Sequence, residues 1–139
     1  MIVLDASFVA KILLEEDGSG EARRLLRDWL EAGEELATVE HMFAEVLNVL
    51  WKHAVKIRDL GVEDALAAAR DLERLRRLLE VYPVEGYATE ALRLAAETGL
   101  TAYDALHLAL AGSRGAVLAT FDKRLARRAA EIGVRAVPG

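Results

Sequence analysis

The sequence predicts a three-layer α/β domain built on a mainly parallel sheet, and three observations carry that expectation. Brief apolar runs alternate along the chain with longer stretches of helical periodicity, the pattern expected of βαβ units. The first run, Ile2-Val3-Leu4, is uninterrupted and β-branched, which suits a strand buried on both faces, although so short a run leaves helix open. Two runs end at an acid: the first at Asp5, and Ala116-Val117-Leu118-Ala119-Thr120-Phe121 at Asp122. Ligand sites in open α/β sheets lie beyond the carboxyl ends of the strands. Parallel strands would therefore set Asp5 and Asp122 on the same edge of the sheet.

Taken in order, Ser7 is a candidate N-cap for a short helix over 7–15, with Phe8, Val9 and Ile12 facing inward. Gly18-Ser19-Gly20 breaks it, and Ser19 caps a second helix through Leu25, Leu26, Trp29 and Leu30, stopped at Gly33. Leu36–Val39 is a second strand. A long helix over roughly 40–56 keeps Met42, Phe43, Val46, Leu47, Leu50 and Ala54 on one side, and Gly61 separates it from a helix over 62–80. Residues 81–84 form a third strand; Pro83 cannot donate to a ladder, so that strand belongs at an edge. Helices follow over 90–98, closed by Gly99, and over 101–111, before 112–115 turn into the strand that ends at Asp122. A last helix over 123–132 and a strand over 134–137, stopped by Pro138, complete the chain. No linker, repeat or low-complexity stretch interrupts it, so 1–139 is expected to be one domain.

Composition narrows the function. At 139 residues, 53% hydrophobic and 29% charged, the chain is globular and long enough to bury a core without staples. It has no cysteine, which excludes disulfides and thiolate metal sites. It starts directly in a strand, without the basic and apolar regions of a signal peptide, and nowhere carries 18 consecutive apolar residues. A soluble, cytoplasmic protein with no membrane association is expected. The net charge of −5 argues against binding nucleic acid through a globally basic surface, yet leaves room for a nuclease whose acids cluster around metal. There is no Gln, one Asn, and 14 Arg against 4 Lys, a scarcity of thermolabile residues that points to a thermophilic source.

Each acid has a structural alternative. Asp5 and Asp122 could simply cap the helices that follow their strands. Thr101-Ala102-Tyr103-Asp104 reads as a capping box. Glu45 shares a polar stripe with His41, Asn48 and Lys52, and such a stripe usually faces solvent. Together the acids say more. Carboxylates gathered in one cleft repel one another unless a cation lies between them. Oxygen-only donors favour Mg²⁺ or Mn²⁺ over zinc or copper. Two such ions roughly 4 Å apart suit the hydrolysis of phosphodiesters by metal-activated water.

The motifs Asp5-x-Ser7, Glu45-Val46-Leu47-Asn48, Tyr103-Asp104-Ala105-Leu106-His107 and Thr120-Phe121-Asp122, in that order over essentially the whole chain, resemble the PIN-domain ribonucleases. Among these they look most like VapC-type toxins of toxin–antitoxin pairs. The resemblance implies a five-stranded sheet in the order 3-2-1-4-5 and a catalytic quartet at Asp5, Glu45, Asp104 and Asp122. Asp5 and Asp104 would be the principal Mg²⁺ ligands, with Asp122 and Glu45 completing the site directly or through water. Ser7 and Thr120 would orient carboxylates. It further implies an RNA substrate, a small antitoxin that blocks the cleft, and a homodimer formed through helices. Glu40 competes with Glu45, but the Glu-Val-Leu-Asn context follows Glu45.

Other features carry less. His41, His53 and His107 form no pair at metal-ligand spacing, which argues against zinc, and His107 is expected to pack within its helix rather than touch substrate. The basic residues Lys123, Arg124, Arg127 and Arg128 read as a solvated helix face, with phosphate contacts by Lys123 and Arg124 as the alternative. Leu26, Trp29 and Leu30 are candidates for sticky surface, though most are better read as core. A phosphatase of the haloacid dehalogenase type would need a second acid where Ser7 stands. A catalytically silent interaction domain, its acids serving only as caps, is the remaining rival.

Overall fold

A computed structural model describes all residues from Met1 to Gly139. The strands are β1 (Ile2–Leu4), β2 (Leu36–Val39), β3 (Glu80–Tyr82), β4 (Val117–Ala119) and β5 (Ala136–Val137). The helices are α1 (Ala6–Leu13), α2 (Ser19–Glu31), α3 (Met42–Trp51), α4 (Val62–Arg76), α5 (Ala88–Thr98), α6 (Ala102–Arg114) and α7 (Lys123–Glu131). Every strand pairing is parallel, and the order is β3-β2-β1-β4-β5. Central β1 pairs Ile2 with Leu36 on one side and Val117 on the other.

The period-two alternation of a strand divides the core into two layers. Val3 points to the side packed by α5, α6 and α7, with Leu94, Leu108, Leu110 and Leu125. Ile2 and Leu4 point to the side packed by α1 through α4, with Phe8, Met42, Val46 and Leu72. The expected three-layer architecture and strand order are both present. β1 is buried on both faces, each such side chain contributing about 1.5–3 kcal/mol of apolar burial.

Several boundaries differ from the sequence expectation, for local reasons. Ser7 is not the cap of α1: Asp5 is, its side chain accepting from the Phe8 amide. Gly18, not Ser19, precedes α2, with φ +94°, and a Cβ there would meet the Phe121 ring at 2.8 Å. Ser19 lies inside the helix, where its hydroxyl donates to the Leu14 carbonyl at 2.6 Å. The long helix starts at Met42 and continues past Trp51 as a π-helical turn over Lys52–Ile57, closed by Arg58 at φ 63°. α4 stops at Arg76, so Glu80 belongs to β3, an edge strand as expected. Pro83 falls just past it and leads into a 3₁₀ turn over Val84–Gly86. α6 absorbs Gly112 and ends only at Gly115, whose φ of 59° lies in the left-handed region. β4 ends at Ala119, leaving Thr120, Phe121 and Asp122 as a connector into α7. Trp29 and Leu26 pack against the core, and of the expected sticky trio only Leu30 is exposed.

Candidate active site

The ends of β1 and β4 are tied together by one polar network. Asp5 follows β1 directly and is 2% exposed. Its Oδ1 accepts from the Ser7 hydroxyl at 2.7 Å and the Phe8 amide at 2.8 Å, and its Oδ2 accepts from the Thr120 hydroxyl. Ser7 Oγ also accepts from the Phe121 amide at 2.9 Å, and Thr120 Oγ1 from the Asp122 amide at 3.0 Å. Burial pushes the Asp5 carboxyl above its usual range, while His107 and the surrounding donors pull it back down. Ser7 and Thr120 thus fix the orientation of Asp5 and, through Thr120, the path of the chain to Asp122.

Asp122 caps α7, its Oδ1 accepting from the amides of Arg124 at 2.9 Å and Leu125 at 3.0 Å. Asp104 sits in the first turn of α6, where its amide donates to the Thr101 cap at 3.2 Å. The return bond of a capping box, in which the Thr101 amide would donate to the Asp104 carboxylate, is not made. Glu45 sits in the first turn of α3. These four acids come from four separate stretches of chain, and together with Ser7, His41, Asn48 and Tyr103 they line one cleft of about 570 Å³. Burial, then Asp122, then Glu45 push the Asp104 carboxyl up to about 6, against the pull of the Thr101 hydroxyl and Arg124. Glu45 is likewise raised, by burial above all. The quartet supplies only oxygen donors, and its mutual repulsion is what a divalent cation relieves. The residues present fit Mg²⁺ or Mn²⁺.

The PIN domain family model matches residues 2–131. The chain belongs to the PIN-domain family. It is 37% identical over 130 residues to Ribonuclease VapC3 of Pyrobaculum aerophilum, covering 91% of this chain and 93% of that protein. The crystal structure of PAE2754 from Pyrobaculum aerophilum superposes with TM-score 0.72 at 30% identity, over 99% of this chain and 83% of that one. VapBC2 from Rickettsia felis, solved with a DNA fragment from its promoter, shares the fold with TM-score 0.65 at 16% identity, over 98% of this chain and 97% of that one.

Within this PIN domain the remaining sequence-nominated residues separate. Glu40 does not line the cleft; its carboxylate accepts from the Val84 amide at 2.9 Å. Lys123 lines an adjoining cavity of about 820 Å³ with Arg127 and Arg135, and Asp122 borders both spaces. Arg124 is drawn elsewhere, donating to the Gly99 carbonyl at 2.8 Å. Asp5 and Asp122 are caps and cleft residues at once, so the two readings of an acid at a strand end do not exclude each other.

His41, Glu45 and Asn48 line the cleft, with Asn48 still exposed to solvent, and Lys52 lies outside it. His107 does pack inside the protein, at 1% exposure, but its ring stacks on His41 with centroids 4.5 Å apart. The available signals were the four-residue step from His41 to Glu45 and the three-residue step from Asp104 to His107. Neither reveals that two different helices bring the rings face to face.

Proposed function

We propose that this PIN domain, acting as a single unit over 1–139, is a Mg²⁺- or Mn²⁺-dependent endoribonuclease and the toxin of a type II toxin–antitoxin pair. The observation that carries the reading is the convergence of Asp5, Glu45, Asp104 and Asp122 on one cleft, with Asp104 lifted to about 6 by burial and its acidic neighbours. These four residues would hold the cation. A divalent ion bound there supplies an activated water and a counter-charge for the oxygen leaving the phosphodiester.

The chain's own residues prepare that chemistry. Ser7 and Thr120 keep Asp5 in one orientation, and the α7 amides do the same for Asp122. Lys123, first in α7, offers a positive charge to phosphate beside the acids. The ribonuclease name of VapC3 supports an RNA substrate for this chain. The VapBC2 assembly, with the same fold, supports a cognate antitoxin. Such a partner needs an apolar surface, and Leu47, Trp51, Val55, Val62 and Leu66, each 47–60% exposed, form one on the α3–α4 hairpin. No helix is long and apolar enough to cross a membrane; we place the protein in the cytoplasm as a homodimer.

Single-stranded RNA should be cut by purified protein in Mg²⁺ or Mn²⁺ and spared in EDTA. Undiminished cleavage in excess chelator would remove the metal-dependent mechanism. Light scattering showing only monomer across a wide concentration range would remove the homodimer.

A further inference from the structure

We propose that His41, Glu45 and His107 form a second cation site on the wall of the same cleft, one that takes an imidazole-preferring transition ion such as Zn²⁺ rather than Mg²⁺. The proposal rests on these side chains alone and stands whether or not the protein cuts RNA. Glu45 Oε1 lies 3.2 Å from His41 Nε2 and 3.6 Å from His107 Nε2. One ligand atom from each residue falls within 4.8 Å of the others. His41 Nε2 is also 2.8 Å from the Tyr103 carbonyl oxygen. Zinc bonds to nitrogen and oxygen are about 2.0–2.2 Å long, so neighbouring ligands on one ion stand roughly 3–3.5 Å apart. The separations on Glu45, 3.2 and 3.6 Å, lie close to the edges of such a polyhedron, while the two imidazoles, within 4.8 Å of each other, would draw closer on binding.

A second, independent observation is the polar deficit. Both ring nitrogens of His107, Nδ1 of His41 and Oε1 of Glu45 are buried without a hydrogen-bond partner. Buried polar atoms in folded proteins are nearly always satisfied, and a cluster of orphans marks a missing ion or water. If the ion replaces the proton on His41 Nε2, the Tyr103 carbonyl becomes an available fourth oxygen or nitrogen donor. Two imidazoles with oxygen ligands favour zinc and its neighbours, whereas the acid quartet favours Mg²⁺ or Mn²⁺. Glu45 belongs to both sets, so filling the imidazole site draws that carboxylate away from the acidic one.

The test reads binding, not cleavage, and uses the metal-stripped full chain. Its imidazole ¹H–¹⁵N spectrum contains only three histidines. His53 is an internal control, held by Asp59 at 2.8 Å away from the cleft. One equivalent of Zn²⁺ should shift the signals of His41 and His107 far more than saturating Mg²⁺ does, and leave His53 in place. By calorimetry, His41→Gln should weaken Zn²⁺ by more than the roughly 10- to 100-fold typical of losing an outer-shell group, and Asp122→Asn by much less. If His41 and His107 do not respond to saturating Zn²⁺, or if Asp122→Asn costs more Zn²⁺ affinity than His41→Gln, the site does not exist. Should His41→Gln fail to fold, the wild-type spectrum alone decides.

Discussion

Asp5 and Asp104 line the same cleft, yet the carboxylate of Asp5 accepts hydrogen bonds from Ser7, Phe8 and Thr120, whereas Asp104 has only the Thr101 hydroxyl and Arg124 to offset the crowding by Asp122 and Glu45. Both carboxyls are raised, and burial is the largest cause for each. The second cause differs in sign. His107 and three donors lower Asp5, while neighbouring acids raise Asp104 further. One acid is built into the fold and the other is tolerated by it. A site that must hold a cation needs both kinds, a fixed corner to set the geometry and an uncompensated wall to supply the attraction.

The largest effect should come from the fixed corner. Asp5→Ala strands two hydroxyl donors and the Phe8 amide in the interior, and each lost partner costs about 1–3 kcal/mol. A loss of about 3 kcal/mol or more in chemical denaturation is expected, with or without Mg²⁺. A loss below about 1 kcal/mol would mean the network contributes little and the contrast with Asp104 is unfounded.

Asp104→Asn should act with the opposite sign. Removing one repelling charge at nearly constant volume should leave metal-free stability level or raise it by about 1 kcal/mol. Stabilisation by Mg²⁺ should shrink and RNA cleavage should fall by orders of magnitude. A destabilised variant that cuts RNA at the wild-type rate would show that Asp104 is only a helix-terminal residue. The same acid sets a pH dependence. Burial and the neighbouring acids push its carboxyl up to about 6 in the folded protein, from an ordinary 3.8, so between those values the folded state holds the extra proton. The metal-free protein should therefore lose stability as pH rises from about 4 to 6, with the full penalty present above 6. Melts at several pH values should show a slope in the wild type that flattens in Asp104→Asn; identical slopes would refute the assignment.

The smallest effect tests Arg124, a cation that lowers Asp104. Arg124→Ala removes the bond to the Gly99 carbonyl and should cost about 0.5–1.5 kcal/mol. It also removes one of the groups that lower Asp104, so the midpoint of the pH slope should move upward. A downward movement would show that Arg124 does not act on the acidic wall.

The contrast between the two acids was only partly legible in the chain. An acid at the end of a buried apolar run could be read directly, because strand burial and strand polarity are local properties. Asp5 and Asp122 were therefore nominated, and parallel pairing put them on one edge. The Thr120 contact was implied only by family resemblance, since it joins Asp5 across the sheet. The overestimated length of β4 has a similar origin: Thr120 and Phe121 have strand-forming side chains, but Thr120 is engaged by Asp5 and Asp122, and the ladder ends at Ala119.

Hydrophobic periodicity and glycine stops by themselves determined the alternation of strands and helices and most of the elements, because each depends on neighbours within one helical turn or one strand; β3 does lie at an edge, but Pro83, which suggested it, falls outside the strand. Tertiary structure alone decided which polar residues share a space. His41 and Glu45 stand one turn apart on α3, and nothing local announces that His107 of α6 will stack on the same ring. Nor could spacing reveal that Arg124 turns to Gly99 while Lys123 stays at the adjoining cavity. Packing two helices across a sheet edge selects pairs far apart in sequence, and Coulomb and desolvation energies depend on the resulting distances and burial, not on sequence spacing.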